Sequence, residues 1–121
     1  MLSTVSDLEV RPLSRLFRAL GDETRVRIVA LLAHGELCVC HIEQALGLSQ
    51  PNASRQLSVL RAAGVVDSRR DGTWVYYRIA DQQHDAVQRV LTVVVESFAT
   101  QRVLRADHAR LRRNCGPDTC K

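Results

Sequence analysis

The sequence predicts a mainly α-helical domain carrying one small β-hairpin, in the order α-α-α-α-β-β-α. Three observations support this: apolar residues recur at spacings of three and four through the first half, alternation replaces them on either side of Asp71-Gly72, and helical spacing returns after Asp81. A chain of 121 residues closes one modest core, so a single domain is expected. Apolar content of 45% with only 4% aromatics describes an aliphatic core.

The first helix is read from Leu13, Leu16, Phe17 and Leu20, with Gly21 ending it, which leaves residues 1–12 as an N-terminal arm. Asp22 has the chemistry of an N-cap for a second helix, in which Val26, Ile28, Val29, Leu31 and Leu32 are buried while Arg25 and Arg27 snorkel outward. A short third helix carries Ile42, Ala45 and Leu46 and stops at Gly47. Ser49 then caps a fourth helix with Pro51 in its first turn, and two helices joined so closely make a helix-turn-helix. "VVDSRR" and "TWVYYRIA" flank Asp71-Gly72, a pair preferred in tight hairpin turns.

The last helix reads as one long element from near Asp81 through "HDAVQRVLTVVVESFATQRVLRADHARLRRN". Its aliphatic stripe is too wide for one neighbour, which predicts a homodimer with Leu13, Leu16, Phe17, Val87, Val90, Leu91, Val94 and Phe98 at the interface. The domain is bounded at residues 13–100, and 101–121 form a basic extension containing Cys115 and Cys120. No N-terminal signal pattern and no membrane-length apolar run is present, so a cytoplasmic protein is expected.

Three helices, a helix-turn-helix and then a hairpin is the order of a winged helix-turn-helix, in which the second helix of the motif enters the DNA major groove and the hairpin touches the flanking backbone. The charge agrees: 17 basic residues against 13 acidic give +4, and all but one of the basic residues are arginine, whose planar fork suits phosphates and guanine edges. Gln50, Asn52, Ser54, Arg55 and Ser58 leave the buried stripe of Ala53, Leu57 and Leu60 and are the candidate base and backbone contacts. Arg69 and Arg70, placed at the hairpin tip, would neutralise phosphates or enter the minor groove. The plain alternative, a solvated polar helix face beside a charged turn, does not account for the three features occurring together.

The runs "FRALGDETRVRIVALL", "GELCVCHIEQALGLSQPNASRQLSVLRAAGVV" and "RRDGTWVYYRI" resemble the ArsR/SmtB family of metal-responsive winged-helix repressors, over roughly residues 13 to 80, and "ELCVC" resembles its arsenic-sensing branch. The resemblance implies a dimer that holds an inverted-repeat operator and releases it when As(III) or Sb(III), the inducer, binds cysteine thiolates. It implies no organic cofactor. The arsenic-sensing pattern has a third cysteine three residues after the second, where this chain has Glu43, and His41 stands where that pattern has Asp. A zinc pattern found on the last helix of other members is broken here, because Asp81 and His84 have the wrong spacing and Val95 and Phe98 occupy the later positions.

On a regular helix, residues two apart point about 200° away from each other. Cys38 and Cys40 can therefore grip one ion only from backbone that is extended or becomes so, and ion capture would re-aim the entry of the third helix. Two soft thiolates suit soft acceptors, with Cys115 or Cys120 as the source of a third ligand. The bland reading makes Cys38 and Cys40 small buried hydrophobes. A Cd(II), Pb(II) or Zn(II) sensor of the same fold is the alternative, followed by a thiol-redox regulator. No phosphate loop or paired-carboxylate motif is present, so an enzyme is not expected.

Overall fold

The computed structural model describes residues 2–82, 84–98 and 101–114. Its elements are α1 (Leu2–Ala19), α2 (Glu23–Leu32), β1 (Leu37–Cys38), α3 (Val39–Leu46), α4 (Gln50–Ala62), β2 (Val66–Asp71), β3 (Trp74–Ile79), α5 (Asp85–Phe98) and α6 (Arg102–Asn114). The winged helix-turn-helix is present as expected, with four differences in detail.

The first helix starts at Leu2 and runs through Pro12, so most of residues 1–12 is helix rather than arm. The spacing of Leu2, Val5, Leu8 and Leu13 continues the helical pattern upstream, and the prolyl ring costs the helix one N–H donor without ending it. The sheet has a third strand: β1 pairs antiparallel with β3, Leu37 opposite Tyr77 and Cys38 opposite Tyr76, giving the order β1-β3-β2. A two-residue strand leaves no alternation to read.

The hairpin turn is shifted by one residue. Asp71 pairs with Trp74, so Gly72 and Thr73 form the loop rather than Asp71-Gly72. Gly72 has φ +62° and no other loop residue is left-handed, the pattern of a turn with glycine at its first central position.

The long terminal helix is two helices. The Gln101 N–H donates to the Phe98 carbonyl at 3.0 Å, an i→i−3 step that ends α5. A second helix begins at Arg102, and in it Leu104, Asp107 and Leu111 are buried while Arg105 stays exposed. A straight helix would have left all three in solvent.

Local chemistry fixes the helix-turn-helix. Gly47 takes the left-handed conformation that ends α3, and the Leu48 N–H returns to the Glu43 carbonyl at 3.0 Å. The Ser49 hydroxyl accepts from the Asn52 N–H at 3.3 Å and caps α4. Leu57 and Leu60 of α4 are fully buried in one cluster with Ile28, Leu31 and Ile42, and Ala53 is fully buried too, so the reading helix rests on α2 and α3 together.

Helix α6 is seated by charge as well as by leucine. Asp107, 1% exposed, takes Arg27 of α2 through two bonds of 2.7 and 2.8 Å and Arg110 through one of 2.6 Å. Arg27 was expected to snorkel outward; the carboxylate on α6, eighty residues away in sequence, holds it inside instead. His108 stacks on His34 at the end of α2, with 3.7 Å between ring centroids. Burial, with His34 and Arg112 nearby, pushes the His108 imidazole below its ordinary value.

Two outcomes follow from this packing. Ser49→Ala removes the cap of α4 and costs about 1 kcal/mol in urea denaturation, most of which Ser49→Asp retains; an unchanged midpoint for Ser49→Ala contradicts the cap. The His108 value lies lower when α6 is docked than the ordinary ~6.5 it has when released, so the released state binds the proton first. Docking is then complete above that ordinary value, weakens as pH falls through it, and levels off below the docked value. Amide exchange over residues 102–114, corrected for intrinsic rate, should be faster at pH 5.5 than at 7.5, and His108→Phe should flatten the difference.

Candidate DNA-reading surface and thiol pair

Of the expected DNA contacts on α4, Gln50, Ser54, Arg55 and Ser58 are exposed, away from the buried stripe. Asn52 is half-buried and tied: its Oδ1 accepts from Gln56 Nε2 at 3.3 Å, and Gln56 Oε1 accepts from Arg25 Nη1 at 3.0 Å. Arg25 also donates from Nε to the Ala19 carbonyl at 2.6 Å. This side chain does not snorkel outward, because the unpaired carbonyl at the end of α1 and the amide of α4 both need a donor. Gln56 was missed in the sequence, where it reads as one more polar residue between two leucine turns. The Arg25–Gln56–Asn52 chain sets the orientation in which α4 presents its outer face.

The two wing arginines have different surroundings. Arg69 lies within β2 opposite Tyr76, not at the tip. Its guanidinium holds Glu36 with a 2.6 Å ion pair and further bonds of 2.9 and 3.0 Å, and it lies 4.5 Å from the centroid of the Tyr76 ring. Arg69 in turn holds the Glu36 carboxyl below the usual carboxylate range. Arg70, the next residue, is exposed on β2. The sequence could not separate the two, because the partner of Arg69 lies 33 positions away.

Glu36 is two residues from the first thiol. Cys38 ends β1 with extended backbone, φ −69° and ψ 146°, and is fully buried; Val39 begins α3, and half-buried Cys40 lies in its first turn. The junction between strand and helix brings the two sulfurs 3.2 Å apart. Cys38 alone of the two has non-helical backbone, and the sulfurs approach one another with α3 folded from Val39 onward.

Burial pushes the neighbouring His41 imidazole below its ordinary value. Glu43 is half-buried on α3. Among the described residues no group of three or more His, Cys, Asp and Glu side chains gathers as a metal site, and Cys115 and Cys120 lie outside the described residues.

Of the residues expected at a dimer interface, Leu16, Val87 and Leu91 are buried within the chain itself, at 1%, 4% and 1% exposure. They have no area left to give a partner. Leu13, Val90, Val94 and Phe98 are half-buried, and Phe17 is 55% exposed. Val93, 61% exposed, joins Ala86, Val90 and Val94 along a shallow groove of about 410 Å³ on α5.

Residues 22–68 match the family described as "Bacterial regulatory protein, arsR family". The "Arsenic resistance transcriptional regulator ArsR1" of Pseudomonas putida is 46% identical over 97 residues, covering 79% of this chain and 74% of that protein. The "Arsenical resistance operon repressor" of Escherichia coli is 51% identical over 67 residues, 54% of this chain and 57% of that one. Among solved structures, the homodimeric winged helix-turn-helix DNA-binding domain of Mb0332 from Mycobacterium bovis, a possible ArsR-family regulator, superposes with a TM-score of 0.64 at 35% identity, covering 76% of this chain and 82% of that one. The transcriptional repressor BigR from Xylella fastidiosa gives the same TM-score at 28% identity, covering 84% of this chain and all of that one. A capped reading helix, a wing and this degree of identity along most of a named regulator agree, and the chain belongs to the ArsR family of bacterial regulatory proteins.

Proposed function

We propose that this chain is a metalloid-responsive transcriptional repressor, which holds an inverted-repeat operator as a homodimer and releases it when As(III) or Sb(III) binds Cys38 and Cys40. The observation that carries this reading is the 3.2 Å separation of the two sulfurs at the entry of α3. At that separation one ion can bridge both sulfurs, and two soft ligands suit a soft acceptor. The arsenic-resistance regulators that this chain is similar to support As(III) or Sb(III) over Zn(II) or Cd(II). Cys115 or Cys120 supplies the third thiolate.

An ion on this pair links the sheet, through Cys38, to the first helix of the helix-turn-helix, through Cys40. Glu36 and Arg69 lie on the same stretch, so a shift there reaches the wing as well. On the DNA, Gln50, Ser54, Arg55 and Ser58 face the major groove, Asn52 orients α4 from its flank, and Arg70 meets phosphate. The dimer closes over α1 and the Val90–Val93–Val94 face of α5. The protein works by binding rather than catalysis, in the cytoplasm, where thiols stay reduced.

Operator release on the DNA upstream of the protein's own coding region tests this, titrated with arsenite, antimonite, cadmium and zinc. Arsenite and antimonite should release wild type at lower concentration than zinc or cadmium, and Cys38→Ser and Cys40→Ser should stay bound. Release of both variants at the wild-type concentration contradicts the site, and preferential release by cadmium moves the reading to a divalent sensor.

The wing gives a separate outcome. Arg70→Ala should weaken binding on every duplex and lower the slope of log affinity against log salt by about two units, one for each protomer of the dimer. Arg69→Ala should leave that slope unchanged, because Glu36 already neutralises it. Arg55→Ala should relax the preference at its base by about 1–3 kcal/mol.

A further inference from the structure

Helix α6 is fastened to α2 and α3 by charge, but packing does not fill its junction with the end of α5. A cavity of about 290 Å³ lies there, against the end of α2, with Val95 and Phe98 of α5 and Leu104 of α6 among its walls and His34, Arg105 and His108 as its polar lining. It is separate from the groove on α5 assigned to the dimer, since Val90, Val93 and Val94 do not line it. Its size is at the small end of ligand cavities, enough for one ring and a polar group.

The chemistry of the lining is one-sided. Every ionisable side chain on the cavity is a base, and no carboxylate lines it. Arg105 is exposed, and neither it nor the two imidazoles makes a side-chain hydrogen bond or ion pair with another described residue. His34 and His108 stack face to face, which leaves their N–H edges to donate elsewhere. A metal ion fits poorly: among the described residues no third ligand joins the two imidazoles, and Arg105 beside the cavity and Arg112 near His108 repel a cation. An apolar body carrying one anionic group matches both the walls and the rim.

We propose that this cavity binds a small aromatic carboxylate, its ring against Val95, Phe98 and Leu104, its carboxylate on Arg105, and the imidazole N–H groups as further donors. The occupied cavity joins α6 to α5 as well as to α2, so binding protects α6. The site is independent of the thiol pair and of the inducer that the pair takes.

Benzoate is the probe, titrated into the full chain with amide NMR shifts and calorimetry as readouts; benzamide removes the charge and acetate removes the ring. Benzoate should bind with a dissociation constant of about a millimolar or below, shift the amides of His34, Phe98, Arg105 and His108 most, and slow amide exchange over residues 102–114. Benzamide and acetate should each bind wild type about tenfold more weakly, as should benzoate bind Arg105→Gln, a change at an exposed position that leaves the melting transition in place. Equal binding of benzamide and benzoate, unchanged affinity in Arg105→Gln, or shifts centred on Val90, Val93 and Val94 would each overturn the site. So would the lack of any saturable shift up to about ten times the expected dissociation constant.

Discussion

The change of backbone between Cys38 and Val39 is the constraint on which the site depends. Two residues that would point apart on a helix face one another because one belongs to a strand and the other to the first turn of a helix. That junction exists because β1 pairs with β3, opposite Tyr77 and Tyr76, and holds Cys38 extended. In the proposed inducer site the sheet is therefore a support for Cys38 as well as a wing, and a load on the sulfurs would act on the first helix of the helix-turn-helix.

Two further ties carry that load outward. Glu36 grips Arg69 of β2, connecting the thiol segment to the hairpin through an exposed ion pair, which by itself adds little stability and serves as a link. On the other side, Arg25 joins the end of α1 to Gln56 and through it to Asn52. The reading helix is held by the core below and by this polar chain along its flank. Helix α6 adds a third body, fastened to α2 by Asp107 through Arg27 and to α3, the helix that carries Cys40, by Arg110 through the Ala45 carbonyl.

Much of this was legible in the sequence because it rests on local rules. Asp22, Ser49 and Gly47 mark helix ends by chemistry that acts within four residues, and Ala53, Leu57 and Leu60 mark the buried face of α4 by spacing alone. The exposed face of α4 followed by subtraction. The parts that misled were those decided by distant partners. Arg25 and Arg27 look like snorkelling arginines until Gln56 and Asp107 meet them, and Arg69 looks like a phosphate contact until Glu36 takes it. The break between α5 and α6 has the same origin, since only the interior seats of Leu104, Asp107 and Leu111 reveal it. A strand as short as Leu37–Cys38 carries no pattern, yet it decides whether the two thiols meet.

The central claim is that the Cys38–Cys40 pair is a chelate for a trivalent metalloid. X-ray absorption at the arsenic edge, on the full chain with one equivalent of arsenite, tests it most directly. The account predicts arsenic surrounded by three sulfur neighbours in wild type, and sulfur lost in favour of oxygen in Cys38→Ser. An arsenic spectrum identical in wild type and Cys38→Ser would contradict it.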